Sequence, residues 1–208
     1  MRVAVLGGTG SFGRALASRL QALGGYDVVI GSRDPGRALE AAAELGAAAG
    51  AANDEAVRGA DLAILAVKAD GALATAEAVA AALGRTPLLS VATAIEFRKG
   101  VGMRPDPDAR SLAERVQDVV EAPVVAGLHS IAATNLGEGA VDEDALVCGD
   151  DPEAKELVLE LAGRLVAGRA VDAGPLASAR ALEGLTAVIV NVNRRYKAHA
   201  GIRVTGVE

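Results

Sequence analysis

Aromatic side chains are nearly missing from this sequence. Of 208 residues, two are Phe, two are Tyr and none is Trp. A platform that stacks single-stranded bases needs several such rings, so that class of binding is excluded. A basic excess is missing as well: 21 Lys and Arg stand against 27 Asp and Glu, a net charge of −6. Proteins that track a phosphate backbone carry the opposite balance, and no nucleic-acid partner is expected. A single cysteine, Cys148, rules out a disulfide-stapled module. Nowhere does an uninterrupted apolar run approach the roughly 18 residues of a membrane-spanning helix, and no membrane partner is expected. The opening run Met1–Leu6 is too short for a signal peptide and leads directly into a Gly-rich turn. The expectation is a cytoplasmic protein.

What the chain does have is small apolar residues, chiefly Ala, Val, Leu and Gly. Hydrophobic residues make up 51% of the sequence, enough at this length to bury a full core. Short apolar runs at Arg2–Leu6, Asp27–Ile30, Asp61–Val67 and Pro87–Val91 read as strands. Ser11–Leu23, Pro35–Ala49, Asp54–Gly59 and Ala72–Leu83, between and around them, read as helices. The alternation predicts an α/β fold, a Rossmann-like doubly wound parallel sheet with helices on both faces. Phe97–Asp108, polar and rich in Gly and Pro, reads as a loop over a site, and Ser111–Glu121 as a helix capped by Ser111 and Glu114. Val124–Leu128, Ala145–Cys148 and Ala170–Asp172 read as further strands, Pro152–Val166 as an amphipathic helix, and Leu176–Ala198 as one long helical segment. The predicted division is a first unit over 1–123 and a small C-terminal α/β extension over 124–208.

The first turn carries the chemistry. Gly8, Gly10 and Gly13 form G-x-G-x-x-G immediately after a strand and at the opening of a helix. In that setting the first Gly permits the tight turn, the second admits a pyrophosphate to the backbone, and the third lets helix and strand pack closely. Gly8, Thr9, Gly10, Ser11, Phe12 and Gly13 are therefore the expected phosphate-binding set, with the anion on the free N–H groups of the helix. The second strand ends in Gly31-Ser32-Arg33, where binders of the unphosphorylated dinucleotide usually carry an acid. Ser32, Arg33 and, one turn later, Arg37 suit a 2′-phosphate, so the expected cofactor is NADP(H). The bland alternative makes Arg33 and Arg37 solvated surface charges. Because ligands gather at the carboxyl ends of parallel strands, Val67, Lys68, Val91, Ala92 and Thr93 are expected beside the nicotinamide and its ribose.

With these residues in place, the chain resembles the F420-dependent NADP oxidoreductase family over nearly its whole length. The first βα unit and the run Gly31–Arg37 are similar to that family's. So are GLHSI at Gly127–Ile131, VCGDD at Val147–Asp151 and DAGPLASARALEGLT at Asp172–Thr186. Ala132 stands where many members have Pro. The resemblance implies hydride transfer between NADP(H) and the deazaflavin coenzyme F420 by a small homodimer. It carries cofactor contacts over to Thr9, Ser32, Arg33 and Arg37, and places His129 and Ile131 on the deazaflavin side.

His129 is the candidate catalytic residue, as a hydrogen-bond donor to a deazaflavin carbonyl or a participant in proton movement. The alternative is a hydrogen-bonded core histidine. Arg180, near the start of the last helix, either meets an anionic group or is a solvated charge, and Lys99 and Arg104 read chiefly as exposed loop charges. Glu183, Asn191 and Asn193 are expected to pack between subunits. Cys148 reads as a small buried hydrophobe, and no metal site is expected. Two rival functions use the same front half: another NADPH-dependent reductase, acting on an imine, a keto acid, a flavin or a metal chelate, or a non-catalytic NADP(H) sensor.

Overall fold

Arg2–Leu6 forms β1 inside an eight-stranded sheet, and its successive residues face opposite layers. Val3 and Val5 pack with Leu16 and Leu20, whereas Ala4 and Leu6 pack with Ala72, Ala76 and Leu83. Both faces are buried, which is why the strand reads as an unbroken apolar run. These coordinates come from a computed structural model, which describes residues 1–137 and 139–207. Glu138 and Glu208, both within the predicted C-terminal unit, lie outside the described residues.

After β1 come α1 (Ser11–Leu23), β2 (Asp27–Ser32), α2 (Pro35–Leu45), β3 (Ala49–Ala52), α3 (Asn53–Ala56), β4 (Leu62–Leu65), α4 (Ala69–Leu83) and β5 (Leu88–Ser90). A two-stranded hairpin, β6 (Ile95–Arg98) and β7 (Gly102–Pro105), precedes α5 (Leu112–Gln117). The chain then returns to the sheet with β8 (Val124–Gly127), α6 (Ala133–Leu136), β9 (Ala145–Gly149), α7 (Pro152–Leu165) and β10 (Ala170–Asp172). A short 3-10 turn at Leu176–Ser178 leads into α8 (Ala179–Tyr196). The strand order is β10-β9-β8-β5-β4-β1-β2-β3. Neighbours are parallel except β8 and β9, which pair antiparallel. The predicted doubly wound sheet is therefore present, and β8, β9 and β10 extend it without interruption. Among the described residues no helix is long and apolar enough to cross a membrane.

Four sequence expectations are corrected. The helix expected over Pro35–Ala49 stops at Leu45, because Gly46 takes a left-handed conformation (φ 65°) and its N–H closes onto Ala42 and Ala43. The chain after it becomes β3, an all-small edge strand that the Ala-rich sequence disguised as more helix. The loop expected over Phe97–Asp108 instead holds the last two residues of β6, the hairpin turn and all of β7. Asn191 of α8 binds it on both sides of one residue, accepting the Met103 N–H at 2.9 Å and donating to the Met103 carbonyl at 2.7 Å. The helix expected over Ser111–Glu121 ends at Gln117, although Ser111 and Glu114 do form the predicted capping box. The last helix begins at Ala179, after the 3-10 turn, and ends at Tyr196.

The polar residues of α8 act within the chain. Glu183 is 2% exposed and accepts the N–H groups of Leu112 and Ala113, each at 3.1 Å, so it caps α5 from a distant helix. Burial raises its pKa, and the N–H groups of Leu112, Ala113 and Ala94 together with Arg180 offset part of that rise. Asn193 accepts the Ala200 N–H at 2.6 Å and turns the chain after α8. Glu183→Ala would leave two buried N–H groups without an acceptor, a loss of about 2–4 kcal/mol. Glu183→Gln keeps one acceptor oxygen and should lose about half as much. Urea unfolding of the two variants checks the order and the size.

Candidate active site

The site begins at the β1–α1 turn. Gly7 adopts φ +82°, and its N–H donates to the Gly31 carbonyl at 3.0 Å, which ties this turn to the tip of β2. A Cβ on Gly13 would stand 2.5 Å from the Gly7 carbonyl oxygen, so only Gly lets α1 start this close to β1. Gly8 is enclosed by Ile30 and Val5, while Gly10 meets only the Gly7 oxygen at 3.3 Å and leaves its outer side open. No side chain caps α1. The first turn of a 13-residue helix thus presents backbone N–H groups to an open Gly-rich cradle, an arrangement that fits a pyrophosphate. Thr9 is partly exposed and Ser11 exposed at this edge, and Phe12 turns towards the neighbouring cavity.

At the tip of β2, Ser32 is buried and Arg33 and Arg37 are exposed. The one acid beside them, Asp34, has another task. Its carboxylate accepts the N–H groups of Gly36 (2.9 Å) and Arg37 (3.3 Å) and caps α2. Its own N–H donates to the Ser32 hydroxyl oxygen at 3.2 Å. With Asp34 engaged in the cap through Oδ1, the tip sets a hydroxyl and two guanidinium groups around it, a donor set suited to a phosphate dianion.

Beside the turn, the carboxyl ends of β4, β5 and β8 enclose a cavity of about 200 Å³. Val67 and Lys68 enter it from β4, and Val91, Ala92 and Thr93 from β5. His129 and Ile131 enter from β8, with Phe12 at the α1 side. The cavity therefore collects all of the residues expected beside the nicotinamide and both of those expected on the deazaflavin side. It does not include Ser32, Arg33 or Arg37, which lie along the strand ends at β2.

The loop after β8 is held in an unusual form. Leu128, buried, sits at φ +65°, a region that costs a non-glycine residue about 1–3 kcal/mol. Its N–H donates to Leu146 at 3.3 Å, and the Ile131 N–H closes back on the Leu128 carbonyl at 3.1 Å. The Thr186 hydroxyl of α8 donates to the His129 carbonyl at 2.8 Å and also lines the cavity. Thr186 and Leu128 were not singled out in the sequence. Thr186 closes the run Asp172–Thr186, so a position was available, but no local pattern tells which residue of that run faces the cavity.

His129 is 7% exposed, and neither ring nitrogen has a hydrogen-bond partner among the described residues. Burial pushes its pKa down to about 4, and the neighbouring Ala92 backbone offsets only part of this. The imidazole is therefore neutral near pH 7, with one N–H to donate and one nitrogen to accept. A buried polar ring that lines the cavity with at most the Ala92 backbone beside it fits a site that receives a further partner with a ligand. Arg180 is anchored differently, donating to the Asp106 carbonyl at 2.8 Å. Lys99 is exposed at the hairpin tip, and Arg104 pairs with Glu96 at 3.3 Å. Cys148 is buried with its thiol pushed up to about 12, by burial first and then by Asp150 and Asp172, so it is inert at neutral pH.

Residues 2–94 match the family model described as NADP oxidoreductase, coenzyme F420-dependent. The F420-dependent NADP reductase of Methanothermobacter marburgensis is 36% identical over 100% of this chain and 99% of its own. That of Methanocaldococcus jannaschii is 33% identical, with both chains covered in full. A crystal structure of a provisionally assigned F420-dependent NADP-reductase from Arthrobacter sp. FB24 superposes with a TM-score of 0.86 at 29% identity, covering 99% of each chain. An imine reductase from Bacillus cereus shares the fold at 18% identity and a TM-score of 0.63. It covers 94% of this chain, but this chain covers only 60% of it.

The depressed His129 pKa has a stability consequence. The unfolded ring, near 6.5, binds a proton that the folded ring refuses until about 4. The contribution is complete above the unfolded value and is lost as pH falls through that window, by up to about 3 kcal/mol. Glu143 and Glu183, whose values are raised, act in the opposite sense. His129→Gln should flatten the fall in unfolding free energy between about pH 7 and about pH 4.5 by roughly 2–3 kcal/mol. Equal slopes in urea titrations of the two proteins would mean that His129 titrates as an exposed residue.

Proposed function

This chain belongs to the family of F420-dependent NADP reductases, and from that membership we propose that it transfers a hydride between NADP(H) and coenzyme F420. When bound, the nicotinamide and the deazaflavin supply the two carbons between which the hydride passes, and the chain supplies orientation and environment. The observation that carries the reading is the continuity from an uncapped, Gly-cradled α1 to a cavity ringed by three strand ends and holding a neutral histidine.

The α1 N–H groups, with Gly8, Thr9, Gly10, Ser11 and Gly13 around them, hold the pyrophosphate. Ser32, Arg33 and Arg37 hold the 2′-phosphate, which makes the protein selective for NADP(H). Val67, Lys68, Val91, Ala92 and Thr93 flank the nicotinamide ribose and ring. Phe12, Ile131 and Leu128 keep water from the reacting faces. His129 donates one ring N–H to a carbonyl of the deazaflavin, and Thr186 positions it by fixing its backbone. Residues 1–123 make the NADP(H) unit in this reading, and 124–208 complete the deazaflavin side.

The outer face of α8 supports reading the protein as a homodimer. Ala181, Leu185, Val188 and Val192 recur at helical spacing on its exposed or half-exposed side, and Phe97 and Val101 of the hairpin stand exposed at 57% and 66%. An apolar stripe of this kind is best explained by a partner.

Mixing the protein with NADPH and oxidised F420 should bleach the deazaflavin absorbance rapidly, and NADH should do so poorly. Arg33→Ala should raise the NADPH KM about 10–100-fold with little change in kcat, because it removes binding energy remote from the reacting carbons. Equal use of NADH and NADPH by the unaltered protein would overturn the assignment of Ser32 and Arg33.

A further inference from the structure

The cavity at the ends of β4, β5 and β8 has a largely apolar wall, with Phe12, Val67, Val91 and Ile131 in it. Among the described residues no Asp or Glu lines it. His129, its buried titratable group, is neutral near pH 7. Lys68 is therefore the one lining side chain that carries a full charge at that pH. Lys68 is exposed, so its charge stands at the open edge of the cavity and not in its depth. Among the described residues no acid forms an ion pair with it.

The backbone adds to the same sign. Lys68 is the N-cap of α4, a helix of 15 residues, and no side chain caps that end. Ala69, the first helical residue, lines the cavity beside it. The partial positive charge of the helix start thus opens on the side where Lys68 stands. Asp70 lies in the first turn of α4, exposed and outside the lining, and offsets part of this field. The charge that borders the cavity itself is positive. An apolar wall screens such a charge less than open water does.

A nicotinamide ring comes to such a cavity in one of two charge states. The dihydro ring of NADPH is neutral, and the oxidised ring of NADP+ carries one positive charge. The adenosine, the 2′-phosphate and the pyrophosphate are the same in both forms. A cation at the cavity edge therefore opposes the oxidised ring alone, and any contact it makes with the phosphates cancels between the two forms. We propose that Lys68 selects the redox state of the cofactor, so that this chain binds NADPH in preference to NADP+. The proposal rests on the NADP(H) reading above and adds to it the residue that tells the two forms apart. Its consequence is that NADP+ competes poorly for the loading of NADPH.

The test is calorimetric titration of the full chain with NADPH and, separately, with NADP+, in the absence of F420. Lys68 is exposed, so its substitution leaves the core intact. In Lys68→Met the ratio of the NADP+ Kd to the NADPH Kd should fall about threefold to tenfold. Lys68→Glu should lower it further, and Lys68→Arg should keep it. In the unaltered protein the ratio should shrink as salt rises from about 0.05 to about 0.5 M, because an exposed charge is screened. An unchanged ratio in both Lys68→Met and Lys68→Glu, with NADPH still bound, overturns the role of Lys68 and leaves the cofactor reading standing. Failure of the unaltered protein to bind either form overturns the cofactor reading and the proposal with it.

Discussion

Everything at this site depends on how closely α1 begins against β1. The Gly13 backbone lies so near the Gly7 carbonyl that no side chain fits between them. That contact fixes the first helical turn over the end of β1, an interior apolar strand, and aims its free N–H groups across the ends of the strands. The Gly7 N–H then reaches the Gly31 carbonyl, so the same turn sets the height of the β2 tip, where Ser32 and Arg33 stand. Phe12, one residue before the close contact, turns into the cavity formed by the ends of β4, β5 and β8. The Gly-rich turn, the β2 tip and the cavity are thus placed by one approach of backbone to backbone.

Much of this was legible in the sequence, and the reason is physical. Strands buried on both faces must be apolar throughout, so Arg2–Leu6 and Leu62–Leu65 announce themselves. A helix that starts this close to a strand needs Gly at fixed intervals, so the first turn does too. What stayed hidden is what local pattern does not encode. β3 is built of Ala and Gly alone, and small residues serve an edge strand packed under a helix as well as they serve the helix itself. The reversed direction of β9 leaves no trace, because Ala145–Gly149 buries its residues much as a parallel strand would. The β6–β7 hairpin depends on Asn191, 88 residues away from Met103.

The candidate site shows the same division. Residues at strand ends were found by a rule of topology, and the cavity contains them. Thr186 and Leu128 were not, since one acts through a backbone carbonyl on another element and the other through a backbone angle. The acids near β9 illustrate a further limit. Asp142, Glu143 and Asp144 look alike in sequence, and only the fold assigns arginines to two of them.

Three of the contacts described above hang from a single helix. Glu183 holds the start of α5, Thr186 holds the His129 carbonyl and Asn191 holds the hairpin at Met103. They lie on successive turns of α8, so hairpin, histidine loop and α5 cannot loosen one at a time without α8. In amide hydrogen exchange, Met103, Leu112 and Ala113 should therefore open with α8 as one cooperative unit. The His129 side of the cavity thus shares its support with α5 and the hairpin, and a partner packed against α8 would brace that side from behind.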